Sequence, residues 1–365
     1  MYKDNLFYIV EWDKDKERTW SGTPYSLLKS LSKYFNIKDI DIRYDVPFWQ
    51  KVINKIIRRE NDFGIYLHRV QRRRLKKNIK KGEKVLQFSE VLYNTDGYEC
   101  YLYIDLSVSY LYSILSDKEF FKVSGFNSIH QKYIEKRLET QNRFFDSCTG
   151  VFTMSHWLKS FLIENCNIDK DRVHCIGGGS NIDINKVRYD LKKRNKILFV
   201  GRDFMRKGLP IVYEAFLRLK KIMPNVELHV AGPIQNPINE NVVDGYFYHG
   251  ECSHDKLSDL FNYCDIFCMP SYFEAFGLVF IEALSYGLPC IGRNIHEMPH
   301  IIEEGVTGIL IEDDNIDFLS SSMYRLLHED VFFENVRDRK DYYMQHYSWE
   351  NVAKNIHKYI CRDKS

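Results

Sequence analysis

The sequence has no apolar run long enough to cross a bilayer. A spanning helix needs about 20 predominantly apolar residues, and the longest apolar-looking stretch, Tyr98 to Leu115, is interrupted by Glu99 and Asp105. The opening segment, Met1 to Asp15, has too short an apolar run, and is too acidic after it, for a secretory leader. A chain that does not span a membrane is expected. The nine cysteines form no Cys-x-x-Cys pair and no Cys/His spacing of a zinc site, which points to reduced thiols in a cytoplasmic protein. There is no His-Glu-x-x-His and no His-rich cluster. The Asp-x-Asp pair at Asp39 and Asp41 lies early, beside a strand of mixed polarity, and reads as a solvated turn, so no metal site is expected. Charge of one sign is also missing: Lys+Arg number 52 against 50 Asp+Glu, and nothing in that balance argues for nucleic acid. Gly177-Gly178-Gly179 opens no helix as Gly-x-Gly-x-x-Gly, which excludes a dinucleotide fingerprint there. No internal repeat is visible.

At 365 residues the chain exceeds the usual limit of one hydrophobic core, so two domains are expected. The second half alternates most clearly. Apolar runs at Lys196–Val200, Val226–Ala231, Tyr246–His249, Ile266–Met269 and Cys290–Gly292 read as buried strands, each stopped by glycine or proline or a turn. Between them, Leu209–Met223, Ser253–Cys264 and Phe276–Tyr286 carry helical periodicity. That alternation predicts a doubly wound parallel sheet. The first half is more irregular: Phe7–Val10, Val85–Phe88, Tyr101–Ile104, Cys148–Met154 and Val173–Ile176 are strand candidates, Thr23–Phe35 and Trp157–Cys166 helices, and Phe120–Phe144 one long helix. The expected division is residues 1–180, a polar linker at 181–195, and residues 196–346, with a closing helix at about 347–362.

One segment carries most of the chemistry. Glu274 follows a strand, Gly277 allows close backbone approach, and the first turn beyond it offers free N–H groups at Phe276, Gly277 and Leu278 to an anion such as a diphosphate. Glu282 sits about one and a half turns on. Carboxylates accept hydrogen bonds from sugar hydroxyls, so Glu274 suits a hexose and Glu282 a ribose. Gly201-Arg202 and Lys207-Gly208 directly follow a buried strand, where a guanidinium fork and an ammonium suit a pyrophosphate. The bland alternatives are a helix-surface acid at 282, a cap at 274 and solvated cations at 202 and 207.

The pattern Glu274, seven residues, Glu282, with Phe276-Gly277 between, resembles the signature of family 4 glycosyltransferases. Phe199-Val-Gly201-Arg202 with Lys207-Gly208, Ala231-Gly-Pro233, His249-Gly250, Asp265, Gly287-Leu-Pro and Ile301 to Leu310 stand around it in that family's order, from about residue 150 to 315. The resemblance implies an α/β fold of GT-B type, two Rossmann-like doubly wound domains facing across a cleft, with the donor on the second domain, the acceptor on the first, and the closing helix at about 347–362 packing back on the first. It implies a retaining, metal-independent transfer of a hexose or N-acetylhexosamine from a nucleotide-diphosphate sugar, a UDP-sugar favoured, to a glycan or lipid-linked acceptor. Bacterial surface polysaccharide or glycoconjugate synthesis is the associated setting. The implied catalytic residues are Glu274, Arg202 and Lys207; donor contacts are Gly201, Phe276, Gly277, Leu278, Glu282, Gly250 and Gly22. No cofactor is implied beyond the nucleotide sugar as substrate.

Trp20-Ser-Gly22-Thr23-Pro24 resembles the family's glycine loop after the first strand. Where relatives place a histidine facing the donor sugar, this chain reads Tyr103-Ile-Asp105-Leu-Ser107, so Asp105 stands in that role or is a loop acid. From Lys51 to Lys84 there are thirteen Lys/Arg against three acids, and Arg69 to Lys81 intersperses Val70, Leu75 and Ile79 among cations. This reads equally as a helix on an anionic leaflet at the inner face of the plasma membrane or as a solvated domain face, with nucleic acid a third reading. Rival functions are an inactive partner subunit, a nucleotide-sugar epimerase and a phosphorylase; the last would carry a lysine-bound pyridoxal phosphate and a longer chain, and neither sign is present.

Overall fold

The computed structural model describes residues 3–43, 65–126, 129–188, 195–238 and 243–361. The beginning of the basic stretch (51–64) and part of the expected linker (189–194) lie outside the described residues. The chain forms two compact units, residues 1–179 with 349–365, and residues 180–348.

The first unit is built on a six-stranded parallel sheet of order β2-β1-β3-β4-β5-β6. The strands are β1 Asn5–Val10, β2 Asn36–Asp41, β3 Lys84–Gln87, β4 Glu99–Ile104, β5 Gly150–Thr153 and β6 Val173–Cys175. Central strands such as β4 and β5 are buried on both faces, which is why they read as unbroken apolar runs. Edge strand β2 alternates only weakly, and its two aspartates serve the fold. Asp39 accepts from the indole N–H of buried Trp12 (2.8 Å) and pairs with Lys16 (2.5 Å), while Asp41 accepts from the Trp12 amide (3.3 Å). The expected turn at Asp39–Asp41 is therefore a strand. The expected single helix at 120–144 is also corrected. Lys118–Val123 and Gln131–Ser147 are separate helices, each capped by the residue before it (Asp117 and His130), with Gly125 at φ 86° between them.

The closing helix Trp349–Ile360 belongs to this first unit. It buries Val352, Ala353 and Ile356 completely, ties Glu350 to Lys33 and to the Tyr34 hydroxyl (2.7 Å), and stacks Tyr359 on His174 at 3.8 Å. A Cβ on Gly179 would lie 2.4 Å from the Trp349 ring, so the triple glycine ends where that indole needs backbone without a side chain.

The second unit carries the sheet order β12-β11-β10-β7-β8-β9. Its strands are β7 Lys196–Val200, β8 Glu227–Ala231, β9 Tyr246–Gly250, β10 Ile266–Cys268, β11 Cys290–Arg293 and β12 Gly308–Ile311. All pair in parallel. Asp265, fully buried, accepts from the amides of Asn195 and Lys196 (both 2.9 Å) and so pins the start of β10 to the start of β7.

Both sheets reverse their strand order once, at β1/β3 in the first unit and at β7/β10 in the second. In doubly wound sheets the crevice beyond the strand C-termini at such a reversal is where ligands bind. No described helix is long and apolar enough to cross a membrane.

Candidate active site

At the β7/β10 reversal, two loops converge: Gly201–Gly208 after β7 and Met269–Gly277 after β10. Asp203 caps the first loop, its carboxylate accepting from the Arg206 amide (3.1 Å) and its carbonyl from the Lys207 amide (3.0 Å). That turn directs both cationic side chains toward the second loop. The Tyr272 amide donates to the Arg206 carbonyl (2.9 Å), stitching the loops together.

Glu274 is the point where they meet. Only 6% exposed, it pairs with the Lys207 ammonium and accepts from the Arg206 guanidinium (3.2 Å) and the Ser271 hydroxyl (3.1 Å). Burial pushes its pKa up, but Lys207, Arg206 and these hydrogen bonds outweigh that and hold the carboxyl below its ordinary value, so it is ionised. Burial in turn holds the Lys207 ammonium below the usual lysine value, Arg206 adding to the effect and Glu274 opposing it. His296, beside this carboxylate, has its pKa lowered to about 4 by burial, so its imidazole is neutral near pH 7. Its backbone is left-handed at φ 54°, a conformation seldom held by a residue with a side chain.

Gly277, at φ 92°, caps the helix Leu278–Ser285. Helix geometry leaves the first-turn N–H groups without partners inside the helix, and the dipole adds positive potential there. Glu282 lies on this helix. It keeps some exposure, yet burial pushes its carboxyl up to about 7.

Of the residues expected from the sequence, Lys207, Glu274, Phe276, Gly277, Leu278 and Glu282 fall on these two loops and the helix they lead into. Gly201 directly follows β7, its amide held by the Ala231 carbonyl (2.9 Å), and the Gly250 carbonyl at the end of β9 accepts from the Gly232 amide (2.8 Å). Arg202 does not join the cluster: its side chain is largely exposed and pairs with Glu251. Arg206 takes the inward position instead. Sequence reasoning passed over Arg206, although an aspartate three residues before it is a capping signal for the turn that aims it inward.

Gly22 and Asp105 belong to the first unit. Gly22 caps the helix Thr23–Leu31 at φ 84°, after Trp20 (φ 45°) and Ser21 (φ 57°), three successive left-handed residues beyond β1. Beside them is a cavity of about 580 Å³ lined by Trp12, Thr19, Trp20 and Arg43. Asp105 is half-buried directly after β4. The basic helix spans Ile65–Asn78, and Leu75 and, just beyond it, Ile79 are turned into the core of this unit. An in-plane membrane helix would need those residues on its outer face.

Residues 181–346 match the family described as Glycosyl transferases group 1. An uncharacterized glycosyltransferase of Methanocaldococcus jannaschii is 29% identical over 236 residues, which cover 58% of this chain and 59% of that protein. The chain thus aligns with about three-fifths of the length of this curated relative. Among solved structures, sucrose-phosphate synthase from Thermosynechococcus elongatus superposes with a TM-score of 0.70 at 14% identity, covering 99% of both chains. HepE of Anabaena, solved with UDP and glucose, gives 0.64 at 12% identity over 98% of this chain and 99% of that one. The fold is the GT-B fold of glycosyltransferases. The match to the group 1 glycosyltransferase family lies in the second unit.

Proposed function

We propose that the protein transfers a hexose or N-acetylhexosamine from a nucleotide-diphosphate sugar to a glycan or lipid-linked acceptor, with retention of configuration and without a metal. The observation that carries this reading is the cluster of Lys207, Arg206 and Glu274 at the strand-order reversal of the second sheet, beside a helix N-terminus and followed by Glu282. A diphosphate leaving group gains negative charge as the glycosidic bond breaks. Two cations and oriented backbone N–H groups already in place stabilise that charge without reorganising, the role a divalent metal takes in other transferases. Donor binding places the diphosphate on Lys207, Arg206 and the Leu278 end of the helix, and a ribose hydroxyl on Glu282. Glu274 holds the hexose and orients Lys207.

Retention follows in this proposal from a front-face route, in which the leaving phosphate helps deprotonate the incoming hydroxyl and neither glutamate acts as nucleophile. A UDP-sugar is the favoured donor, supported by a fold neighbour solved with UDP and glucose. The first unit binds the acceptor, with the Gly22 loop before the helix Thr23–Leu31 and Asp105, directly after β4, as the groups offered to it.

The test is a donor-binding and slow-hydrolysis panel of UDP-glucose, UDP-N-acetylglucosamine, UDP-galactose and GDP-mannose in EDTA. One donor should bind in EDTA, and Glu282→Ala should lose it. Binding that requires added metal would refute the metal-free reading, and failure of every donor would refute the transferase reading.

A further inference from the structure

The first unit contains a second polar cavity, of about 130 Å³, lined by residues other than those around Trp20. It lies between the helix Ile65–Asn78, the helix Gln131–Ser147 and the segment that follows β3. Four guanidinium groups line it, from Arg69, Arg72, Arg137 and Arg143, against one lining carboxylate, Glu90. Arg72 is largely neutralised elsewhere: it forks onto Asp96 (2.8 and 2.7 Å) and lies over the Tyr93 ring.

Arg137 is the informative member. It is only 6% exposed and pairs with buried Glu90 through one terminal nitrogen, while Gln141 also donates to Glu90 (2.6 Å). Its other terminal nitrogen, Nη1, is buried with no hydrogen-bond partner among the described residues, and so is Nδ1 of His68 on the facing helix. A buried donor left unpaired costs free energy, more so on a charged group. Two such atoms on residues that line one cavity, with two exposed arginines at its rim, describe a site whose missing partner is an anion. His68 stays neutral near pH 7, because burial and the Arg137 charge lower its pKa to about 4. It can therefore donate or accept one hydrogen bond without adding charge.

We propose that this cavity binds a phosphoryl group, as a phosphate monoester or the end of a diphosphate, with Arg137 and His68 at its floor and Arg69 and Arg143 at its rim. The planar guanidinium fork matches phosphoryl oxygens in pairs. The cavity is of the size of a tetrahedral oxyanion and its hydration, and far smaller than the space beside Trp20. Assigning the phosphoryl group to the acceptor rests on the transferase reading, whereas the anion site itself does not.

Titration of the full chain with inorganic phosphate and with glycerol 3-phosphate at constant ionic strength tests the proposal. Saturable binding is expected, weakened at least tenfold in Arg69→Gln/Arg143→Gln, whose exposed positions leave the fold intact. Arg73→Gln/Arg74→Gln, exposed on the same helix but outside the cavity, should bind as the parent does. Binding should also persist in Arg206→Gln/Lys207→Gln, which separates this site from the donor site even if no nucleotide sugar binds. Absent saturation, equal weakening by the Arg73/Arg74 pair, or loss only in the Arg206/Lys207 pair would each overturn the proposal. Co-sedimentation with phosphatidic acid vesicles but not phosphatidylcholine vesicles, abolished by Arg69→Gln/Arg143→Gln, assigns the group to a lipid. Binding of glycerol 3-phosphate without vesicle binding assigns it to a soluble ligand.

Discussion

Replacing Lys207 by methionine removes the ammonium that faces buried Glu274 and leaves that carboxylate with Arg206 and Ser271 alone. Breaking a buried ion pair from one side costs about 3–5 kcal/mol, while removing both charges is far milder. Lys207→Met should therefore lower the unfolding free energy of the second unit by about 3 kcal/mol, and Lys207→Met/Glu274→Gln should recover more than half of it. Glycosyl transfer should be lost in both, since neither restores the cation at the diphosphate. Denaturant unfolding beside an activity assay separates the two effects. Recovery of transfer along with stability would show that the pair is only structural.

Glu282 carries a pH signature. Its folded pKa of about 7 lies above the ordinary glutamate value, so the folded state favours the protonated form. Its contribution to stability is most favourable below about 4.5, falls as pH rises toward 7, and is fully unfavourable above that. The full shift corresponds to at most about 3 kcal/mol. Glu282→Gln should thus stabilise the second unit at pH 8 and change little at pH 4.5, measured by unfolding at the two pH values. A ribose hydroxyl bound to the carboxylate favours its ionised form, so donor affinity should climb from pH 6 to 8 in the parent. An affinity flat across that range would remove Glu282 from the donor site. At this scale the glutamates were legible through their spacing around Phe276-Gly277, and Lys207 through Gly208 beside it. Arg206 was hidden, because which of two nearby arginines turns inward depends on a capping turn rather than on spacing.

Loops and strand ends decide whether those side chains meet. Gly208 caps the helix Leu209–Ile222 at φ 82°, and a Cβ there would lie 2.7 Å from the carbonyl oxygen of Pro270. Both faults act on the joint between the two site loops. Gly208→Ala should cost at least about 2 kcal/mol from left-handed strain and the backbone clash together. Donor affinity should fall as well, since Pro270 begins the loop that carries Glu274. Unfolding and donor titration of the same variant check this; a stable variant with parent affinity would contradict it. Buried parallel strands were legible as elements because both faces are apolar. Strand β2 was not, because at the sheet edge its residues are mostly exposed and polar. The break after Val123 was obscured because its apolar spacing continues through Phe126 and Ile129, which pack with the same small cluster as Val108 and Ile134.

At the scale of the whole chain, the last helix returns to complete the first unit after the second has been built. Its return was expected from the family resemblance alone, because the packing rests on contacts more than 300 residues apart in sequence, such as Glu350 with Lys33 and Tyr34. The first unit's core is therefore incomplete until the final residues are in place, whereas the second unit's sheet lies wholly within residues 180–348. Ile356→Asp buries a carboxylate with no partner at a fully buried position and should destabilise the first unit by several kcal/mol. Hydrogen exchange resolves the consequence by segment. Amides of β1 to β6 should lose protection, while those of β7 to β12 keep it and the donor still binds. Equal loss of protection in both sheets would mean that the units unfold as one cooperative body, and the donor site would then depend on a helix that contributes no residue to it.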